Sequence, residues 1–344
     1  MRSALVSTSA AVCAVVIVAA AAFTGYLVPN AHASTGPIPL NCNRACLEGV
    51  LDQYLAALVA HDPKRLPLSA DVMYTENDQQ LDVGDGFWKT AEGLGNYKHV
   101  FADPEGGQVA FMGTMHEAGA ALLMSLRLRI QLGRITEIES IYFRQGGGGP
   151  SGIPTLDAPG YKPEDMWFKS IPPAQRPTRA EMIAVADSYF SGLQKNDGKG
   201  VNGTGTYNFT NDCDRIENGA HTTNVPRPPN EPKDAINGFA LDCLSQFKLG
   251  YYFVVQSIHH RRYPLVDSER GVVLSHAVFD QGTVNAGVLS DGRPYAFKGF
   301  NRPSSILVSE AFLIENGKIR RVEMIGPSAT YHTNSAWGKG LSGN

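Results

Sequence analysis

The sequence predicts an α+β chain made of two tandem copies of one unit, each opening with a helix that packs on an antiparallel sheet. Three observations carry this expectation. They are an internal repeat, an amphipathic helix at the head of each copy, and a matching β-hairpin at its tail.

The repeat is visible by direct comparison. Residues 51–62, LDQYLAALVAHD, lie against 186–197, ADSYFSGLQKND, without a gap. Asp52 falls on Asp187, Tyr54 on Tyr189, Leu58 on Leu193 and Asp62 on Asp197, each at an offset of 135. That offset also lays YTENDQQLDVGDG (74–86) on FTNDCDRIENGAH (209–221), so Asp82 meets Glu217 and Gln80 stands where the second copy has Arg215. Near the end of each copy, RIQLGRITEIESI (129–141) resembles LIENGKIRRVEMI (313–325) at an offset of 184, which pairs Glu139 with Glu323. The second copy therefore carries 49 extra residues (184 − 135), expected between His221 and Ser305.

The first helix is expected in CLEGVLDQYLAALVAHD, where Leu47, Leu51, Tyr54, Leu55 and Leu58 recur at helical spacing. Thr178 followed by Glu181 is a capping-box signature ahead of the second helix, which carries Ile183, Ala186, Phe190 and Leu193. AALLMSLRLRIQLGRITEIESIYFR predicts a hairpin with Leu132-Gly133 at its tip, and SSILVSEAFLIENGKIRRVEMIG its counterpart with Asn316-Gly317. Between the copies, residues 145–177 are rich in Gly and Pro and predict an irregular linker, pinned to a domain surface by Trp167 and Phe168. The literal G-x-G-x-x-G at 147–152 is no nucleotide fingerprint, because Pro follows where a helix should open and no βαβ unit surrounds it.

Residues 1–33 predict a signal peptide: Arg2 supplies the positive start, an uncharged apolar run follows, and Ala31-His32-Ala33 offers a cleavage site. The run is long enough that retention as a membrane anchor is the alternative. Either way the body is expected to be secreted or exported. Without Arg2 the body has 29 basic against 33 acidic residues, too mild a charge to suggest nucleic acid or an anionic membrane. Of five cysteines, Cys13 leaves with the signal, and Cys42, Cys46, Cys213 and Cys243 remain. An even number in an exported chain favours disulfides. Three connectivities are open; the local pairs Cys42–Cys46, one helical turn apart, and Cys213–Cys243 are preferred over a zinc site.

Helix first, then a bent sheet ending in long paired strands, resembles the cone-shaped α+β fold of nuclear transport factor 2-like proteins. That group includes SnoaL-like cyclases, scytalone dehydratase, ketosteroid isomerase and limonene epoxide hydrolase. The resemblance covers about 42–144 and 178–327 as first and second domains, leaving 328–344 as a tail. The runs DCDRIENG, HRRYPLVDSERGVV and CLEGVLDQYLAALVAHDPKRLPL also resemble a family of exported tandem-domain proteins of unassigned function. The resemblance implies a pocket between helix and sheet, but fold alone licenses no activity.

DCDRIENG (212–219) is the first candidate for chemistry. Arg215 would hold an anionic oxygen, Glu217 would move a proton, and Asn218 and His221 would line the site. Arg215 and Glu217 share a strand face, which equally suits a surface ion pair, and Asn218-Gly219 equally suits a plain turn. In SIHHRRYPLVDSERG (257–271), Arg262 and Tyr263 would bind a carboxylate or enolate oxygen, the alternative being a strand edge protected by charge. His259 and His260, adjacent on a strand, should point to opposite faces and so should not ligate one metal. His276 and Asp280 share the strand parity of Leu274 and Val278, so His276 is either a core histidine or a cavity acid/base. Glu139 and Glu323 are expected at the surface, since an inward carboxylate is costly unless paired.

The functional expectation is a cofactor-free lyase or isomerase acting on a small organic molecule in the second-domain pocket. Glu217 or His276 would be the base, Arg215 and Arg262 the clamp, and Tyr263 a donor, with Asn218, His221 and Asp280 lining the pocket. No metal, nucleotide or nucleic acid is expected, nor a membrane once the signal is cleaved; a homo-oligomer is left open. Epoxide hydrolysis is a variant of the same constellation. The alternatives are a non-catalytic binding module and, more weakly, carbohydrate binding on Tyr251, Tyr252 and Trp167.

Overall fold

The computed structural model describes residues 37–146, 151–297 and 302–338; the expected signal segment lies outside them. Among the described residues no helix is long and apolar enough to cross a membrane. The chain is α+β, with two large curved mixed sheets and few helices.

Helix α1 (Arg44–Val59) begins at Asn43, whose side chain accepts from the Cys46 amide, and buries Leu47, Leu51, Tyr54, Leu55 and Leu58. The first sheet follows as β1 (Leu68–Glu76), β2 (Gln79–Gln80), β3 (Ala91–Asp103), β4 (Gln108–Glu117), β5 (Ala120–Gln131) and β6 (Arg134–Arg144), in the order β2-β1-β6-β5-β4-β3. One helical turn, α2 (Ile153–Leu156), interrupts the linker. Helix α3 (Arg179–Leu193) then starts with the predicted capping box of Thr178 and Glu181. The second sheet has β7 (Phe209–Glu217), β8 (Ala220–His221), β9 (Val255–Asp267), β10 (Val272–Gln281), β13 (Ser304–Glu315) and β14 (Lys318–Ile325), in the order β8-β7-β14-β13-β10-β9. Helix α4 (Cys243–Lys248) and the small hairpin of β11 (Ala286–Val288) and β12 (Pro294–Ala296) belong to the second half only. A short β15 (Ser328–Ala329) pairs with β13.

The strand orders match, but the sheets are not purely antiparallel. β1 runs parallel to β6, and β7 parallel to β14. The chain reaches β1 from the helix rather than from a hairpin, and parallel neighbours need a long connection, here the whole excursion from β2 to β5. Both predicted hairpin tips are two-residue turns with positive φ at each position, Leu132-Gly133 and Asn316-Gly317.

Register corrects the repeat. Glu76 stands opposite Ser140 and Glu217 opposite Met324, and Ser140 and Met324 share the hairpin offset of 184. Glu76 is therefore the counterpart of Glu217, at an offset of 141 (217 − 76), and Arg215 corresponds to Tyr74, not Gln80. Asn77 and Asn218 confirm it. Both have positive φ, and their side chains clamp the backbones of Tyr142 and Gly326 through matching hydrogen bonds of 2.7 and 2.8 Å from the amide N–H groups. The extra residues fall in three places: six before β7, twenty-three between β8 and β9, and twenty between β10 and β13. An ungapped comparison slides past the first of these, because polar turn residues match polar turn residues almost anywhere.

Each sheet has one face against its own helix and the other against the opposite sheet. Tyr54, Trp88 and Leu126 belong to the first interior, and Tyr189, Phe247 and Phe312 to the second. A third core between the sheets joins Phe101, Met112 and Phe143 to Leu274, Val278 and Leu313; Trp167 of the linker is buried in this core rather than on a domain surface, and Phe168 stays exposed. The seam is nearly two-fold. Ser125 and Ser309, equivalent at 184, touch at 2.7 Å. Arg44 of α1 pairs with Asp267 at 2.6 Å, and Arg179 of α3 pairs with Asp103 at 2.6 Å. Cys42–Cys46 and Cys213–Cys243 form the two bridges.

Candidate functional site

Arg215 and Glu217 sit two residues apart on β7 and both face the second interior, as strand periodicity requires. They form an ion pair through the Arg215 guanidinium and Glu217 Oε1. Arg215 is buried. Its Nη1 donates to Gln246 Oε1 at 3.0 Å and to the Tyr252 hydroxyl at 2.6 Å. The guanidinium also lies against the rings of Tyr189, Tyr252 and Phe247. Glu217 Oε1 accepts from Thr222 Oγ1 at 3.1 Å.

Glu310 of β13 enters the same space and is 2% exposed. Burial pushes its carboxyl up to about 8; Glu217 adds to the rise, while Arg215 and the Tyr189 hydroxyl oppose it. At neutral pH it is therefore mostly a neutral acid, beside a carboxylate already committed to Arg215. Two buried polar atoms here have no hydrogen-bond partner in the structure, Arg215 Nε and Glu310 Oε2. Burial also raises Tyr252 to about 12, against the pull of Arg215.

The roof of this interior comes from the twenty-three residues that the first copy lacks. Gln246 of α4 hydrogen-bonds Arg215 and Tyr252 with its oxygen and the Thr222 and Gly238 carbonyls with its nitrogen, so the amide is fully used. The Cys213–Cys243 bridge ties α4 to β7.

The other expected site residues go elsewhere. Asn218 closes the turn, donating to the Gly326 carbonyl at 3.1 Å. His221 is at the surface on Asp214, 2.8 Å away, and that contact raises its pKa. Tyr263 donates to Asp187 of α3 at 2.6 Å, a contact between helix and sheet. His276, Arg262 and Asp280 lie on the far side of the second sheet from Arg215. The expected parity of His276 with Leu274 and Val278 holds, but that face looks at the first half, not at the pocket.

His276 and Arg262 meet Glu139 of β6 at the seam. Arg262 and Arg127 both pair with Glu139, and His276 Nδ1 is 3.6 Å from it. Burial drives the Glu139 carboxyl upward, but the guanidiniums of Arg262 and Arg127 outweigh it and hold it below the usual range. Burial lowers His276 to about 3, so it is neutral. Glu323 makes the reciprocal crossing to His99 at 2.7 Å and Tyr97 at 2.9 Å. The expectation that Glu139 and Glu323 face solvent is thus overturned: each is buried because a cation or donor of the opposite half waits for it. The hollow beside Glu139 and His276 is about 10 Å³, and a second beside Glu323 about 30 Å³, both too small for an organic substrate.

Two further expectations change. A bulge at His260, whose φ is +53°, places two residues of β9 against one of β10 and turns both imidazoles to one side, so their ring nitrogens touch. Tyr251 and Trp167 are buried and Tyr252 is enclosed in the Arg215 cluster, which leaves no aromatic platform there for a sugar.

Sequence reasoning missed Glu310, Tyr189 and Gln246, and gave Tyr252 a different role. A signal existed for Glu310: in SSILVSEAFLIENG it shares the parity of Val308, Phe312 and Ile314, an acid in an apolar row.

A family described as a domain of unknown function (DUF8021) matches residues 175–326, the span of the second half. No curated protein matches the chain. Among solved structures, the chain is similar to a hypothetical protein with a ketosteroid isomerase-like fold from Catenulispora acidiphila DSM 44928, in complex with trimethylamine. The two are 18% identical over 33% of this chain and 94% of that one, with a TM-score of 0.22.

Proposed function

We propose that the second half is a small-molecule site for cofactor-free proton transfer, of the lyase or isomerase class, within a chain of two nuclear transport factor 2-like domains (42–144 and 178–327) that works outside the cytoplasm. One observation carries the reading: a buried carboxyl raised to about 8, Glu310, faces the buried Arg215, which is paired with the partly exposed Glu217. A carboxyl held neutral by burial beside one paired with an arginine is how one site supplies both an acid and a base.

In this reading Glu217 removes a proton beside a carbonyl, Arg215 holds the oxyanion that forms, and Glu310 donates a proton to it or to a leaving group. Arg215 Nε and Glu310 Oε2 are the two atoms with bonding capacity to offer. Tyr189 and Tyr252 supply apolar walls and hydroxyl donors. A substrate that reaches Arg215 must displace Gln246 and Tyr252, which now occupy its Nη1. His276 and Arg262 have no part in the chemistry and hold the halves together instead.

The test is solvent deuterium uptake, followed by NMR, at carbons next to the carbonyl in a panel of cyclic ketones and 3-oxo acids in D₂O. Uptake above the protein-free rate, lost in both Glu217→Gln and Glu310→Gln, is expected. Equal uptake by wild type and Glu217→Gln removes the base assignment.

A second reading, a binding module without turnover, is favoured by how completely Gln246 and Tyr252 already occupy Arg215. Saturable binding of a panel member without deuterium exchange would select it.

A further inference from the structure

We propose that His259, Asp280 and His332 form a binding site for a divalent transition-metal ion, of which Zn²⁺ is the test case. The residues come from three places: β9, the end of β10, and the tail after β15. Their ligating atoms all lie within 4.8 Å of one another. Asp280 is wholly buried and is the centre of the group. His332 Nδ1 is 2.6 Å from Asp280 Oδ2, and His259 Nε2 is 3.2 Å from the same oxygen. Two imidazoles and a carboxylate are a donor set for Zn²⁺ and its neighbours rather than for Mg²⁺ or Ca²⁺.

Three features make this more than a chance cluster. The first is division of labour on Asp280. Its Oδ1 accepts from Ser305 Oγ at 2.6 Å and from the His332 amide at 3.2 Å, which fixes the carboxylate and leaves Oδ2 facing the imidazoles. The second is His259 Nε2, buried and without a properly aligned hydrogen-bond partner although Asp280 is near. Its other nitrogen meets His260 Nδ1. With Nδ1–H donating to His260, the Nε2 lone pair points at the site, the tautomer a metal requires. The third is backbone. His260 and His332 both have positive φ, +53° and +57°, an uncommon state for histidine. One shapes the bulge that aims His259, and the other turns the tail so that His332 reaches Asp280.

The geometry needs little change. Tetrahedral ligands at about 2.0–2.1 Å from Zn²⁺ lie roughly 3.3 Å apart, so the His259–Asp280 spacing already fits. His332 must move out from Asp280 by less than about 1 Å while its nitrogen, within 4.8 Å of that of His259, swings toward it, and its side chain, 67% exposed, has room to do so. Water would complete the coordination from the solvent side. The ion would also pin the tail. Beyond His332 the tail runs over the seam, where Ser335 donates to Asp78 and Trp337 covers Arg127 and Arg262.

Titration calorimetry of the full chain with ZnCl₂, repeated with Co²⁺ and its visible absorption, tests the site. One ion per chain is expected. His332→Ala, a change on the exposed tail that leaves the core intact, should weaken it at least about tenfold, as should His259→Ala. His221→Ala, at an exposed histidine elsewhere, should not. Hydrogen exchange of residues 328–338 should slow on adding Zn²⁺ to wild type and not to His332→Ala. No saturable uptake of one ion, equal uptake in His332→Ala and His259→Ala, or loss in His221→Ala overturns the site. Uptake with unchanged exchange in the tail overturns the pinning.

Discussion

In the first interior, the position of Arg215 holds Tyr74, that of Glu310 holds Leu126, and that of Gly326 holds Tyr142; the glutamate, Glu76 for Glu217, and the helix tyrosine, Tyr54 for Tyr189, are kept. Tyr142 packs on Phe87, and Tyr54 meets Trp88 edge-on, so aromatic rings fill the space. Glu76 is spent on structure: it accepts from the Phe87 amide at 2.6 Å and from the Tyr74 hydroxyl. Gly86, at φ +61°, lies so close that an added Cβ would meet the Glu76 carboxyl at 2.4 Å. The second interior has the same frame, an arginine, a second carboxyl and an added roof. Three substitutions and one insertion turn a plugged unit into a charged one. The frame tolerates both because the helix, the hairpins and the Asn77 and Asn218 turns do not depend on what lies between them.

The sharpest way to break this contrast is at the arginine. Arg215→Met removes a buried guanidinium and leaves the Glu217 carboxylate without its cation, and should cost about 3–5 kcal/mol in denaturant unfolding. Tyr74→Phe at the matching position should cost about 1 kcal/mol, the loss of one hydrogen bond. Equal costs would mean the two interiors differ less than their residues suggest.

The roof makes the next test. Replacing Cys213 and Cys243 by Ala opens a bridge of sequence separation 30. A loop of that length should lose about 4 kcal/mol, against about 2 kcal/mol for the short Cys42–Cys46 loop. If the two bridges prove equivalent, α4 is held by its side-chain contacts rather than by sulfur.

Glu310 gives a pH signature that the matching position, Leu126, cannot give. Its folded carboxyl sits at about 8 and its unfolded one near 4.5, so between these values the folded state keeps a proton the unfolded state has lost. Stability from this group is full below about 4.5 and falls as pH rises through 8, by about 5 kcal/mol over that window. The advantage of Glu310→Gln over wild type in Tm should therefore grow from pH 5 to pH 8.5. A constant difference would place Glu310 in contact with water.

The smallest effect is at the pseudo-two-fold contact. Ser125→Ala or Ser309→Ala should each cost about 1 kcal/mol and by the same amount, since each leaves the other hydroxyl without its partner.

How much was legible differs by residue. Leu47 to Leu58, the Thr178–Glu181 cap and the Asn316-Gly317 tip announced themselves, because each is a local pattern whose meaning depends on neighbours within a few positions. Arg215 and Glu217 were legible as a pair on one face, by strand periodicity. Glu310 was overlooked in an apolar row, and the pairing of Glu76 with Glu217 was hidden by six residues of loop. His276 and Glu139 could not be placed, since each is explained by a partner 137 residues away in sequence (276 − 139).

The sequence by itself determined the duplicated helix-and-sheet units, their turns and the excess length of the second copy. Those follow from periodicity, backbone preference and spacing, which act over short range. Only the tertiary structure decided which face of each strand meets the helix and which meets the other half. That choice sent Arg215, Glu217 and Glu310 into one interior, Glu139 and His276 into the seam, and two histidines onto Asp280. A strand has two faces of equal period, and which one becomes an interior is settled by what packs against it.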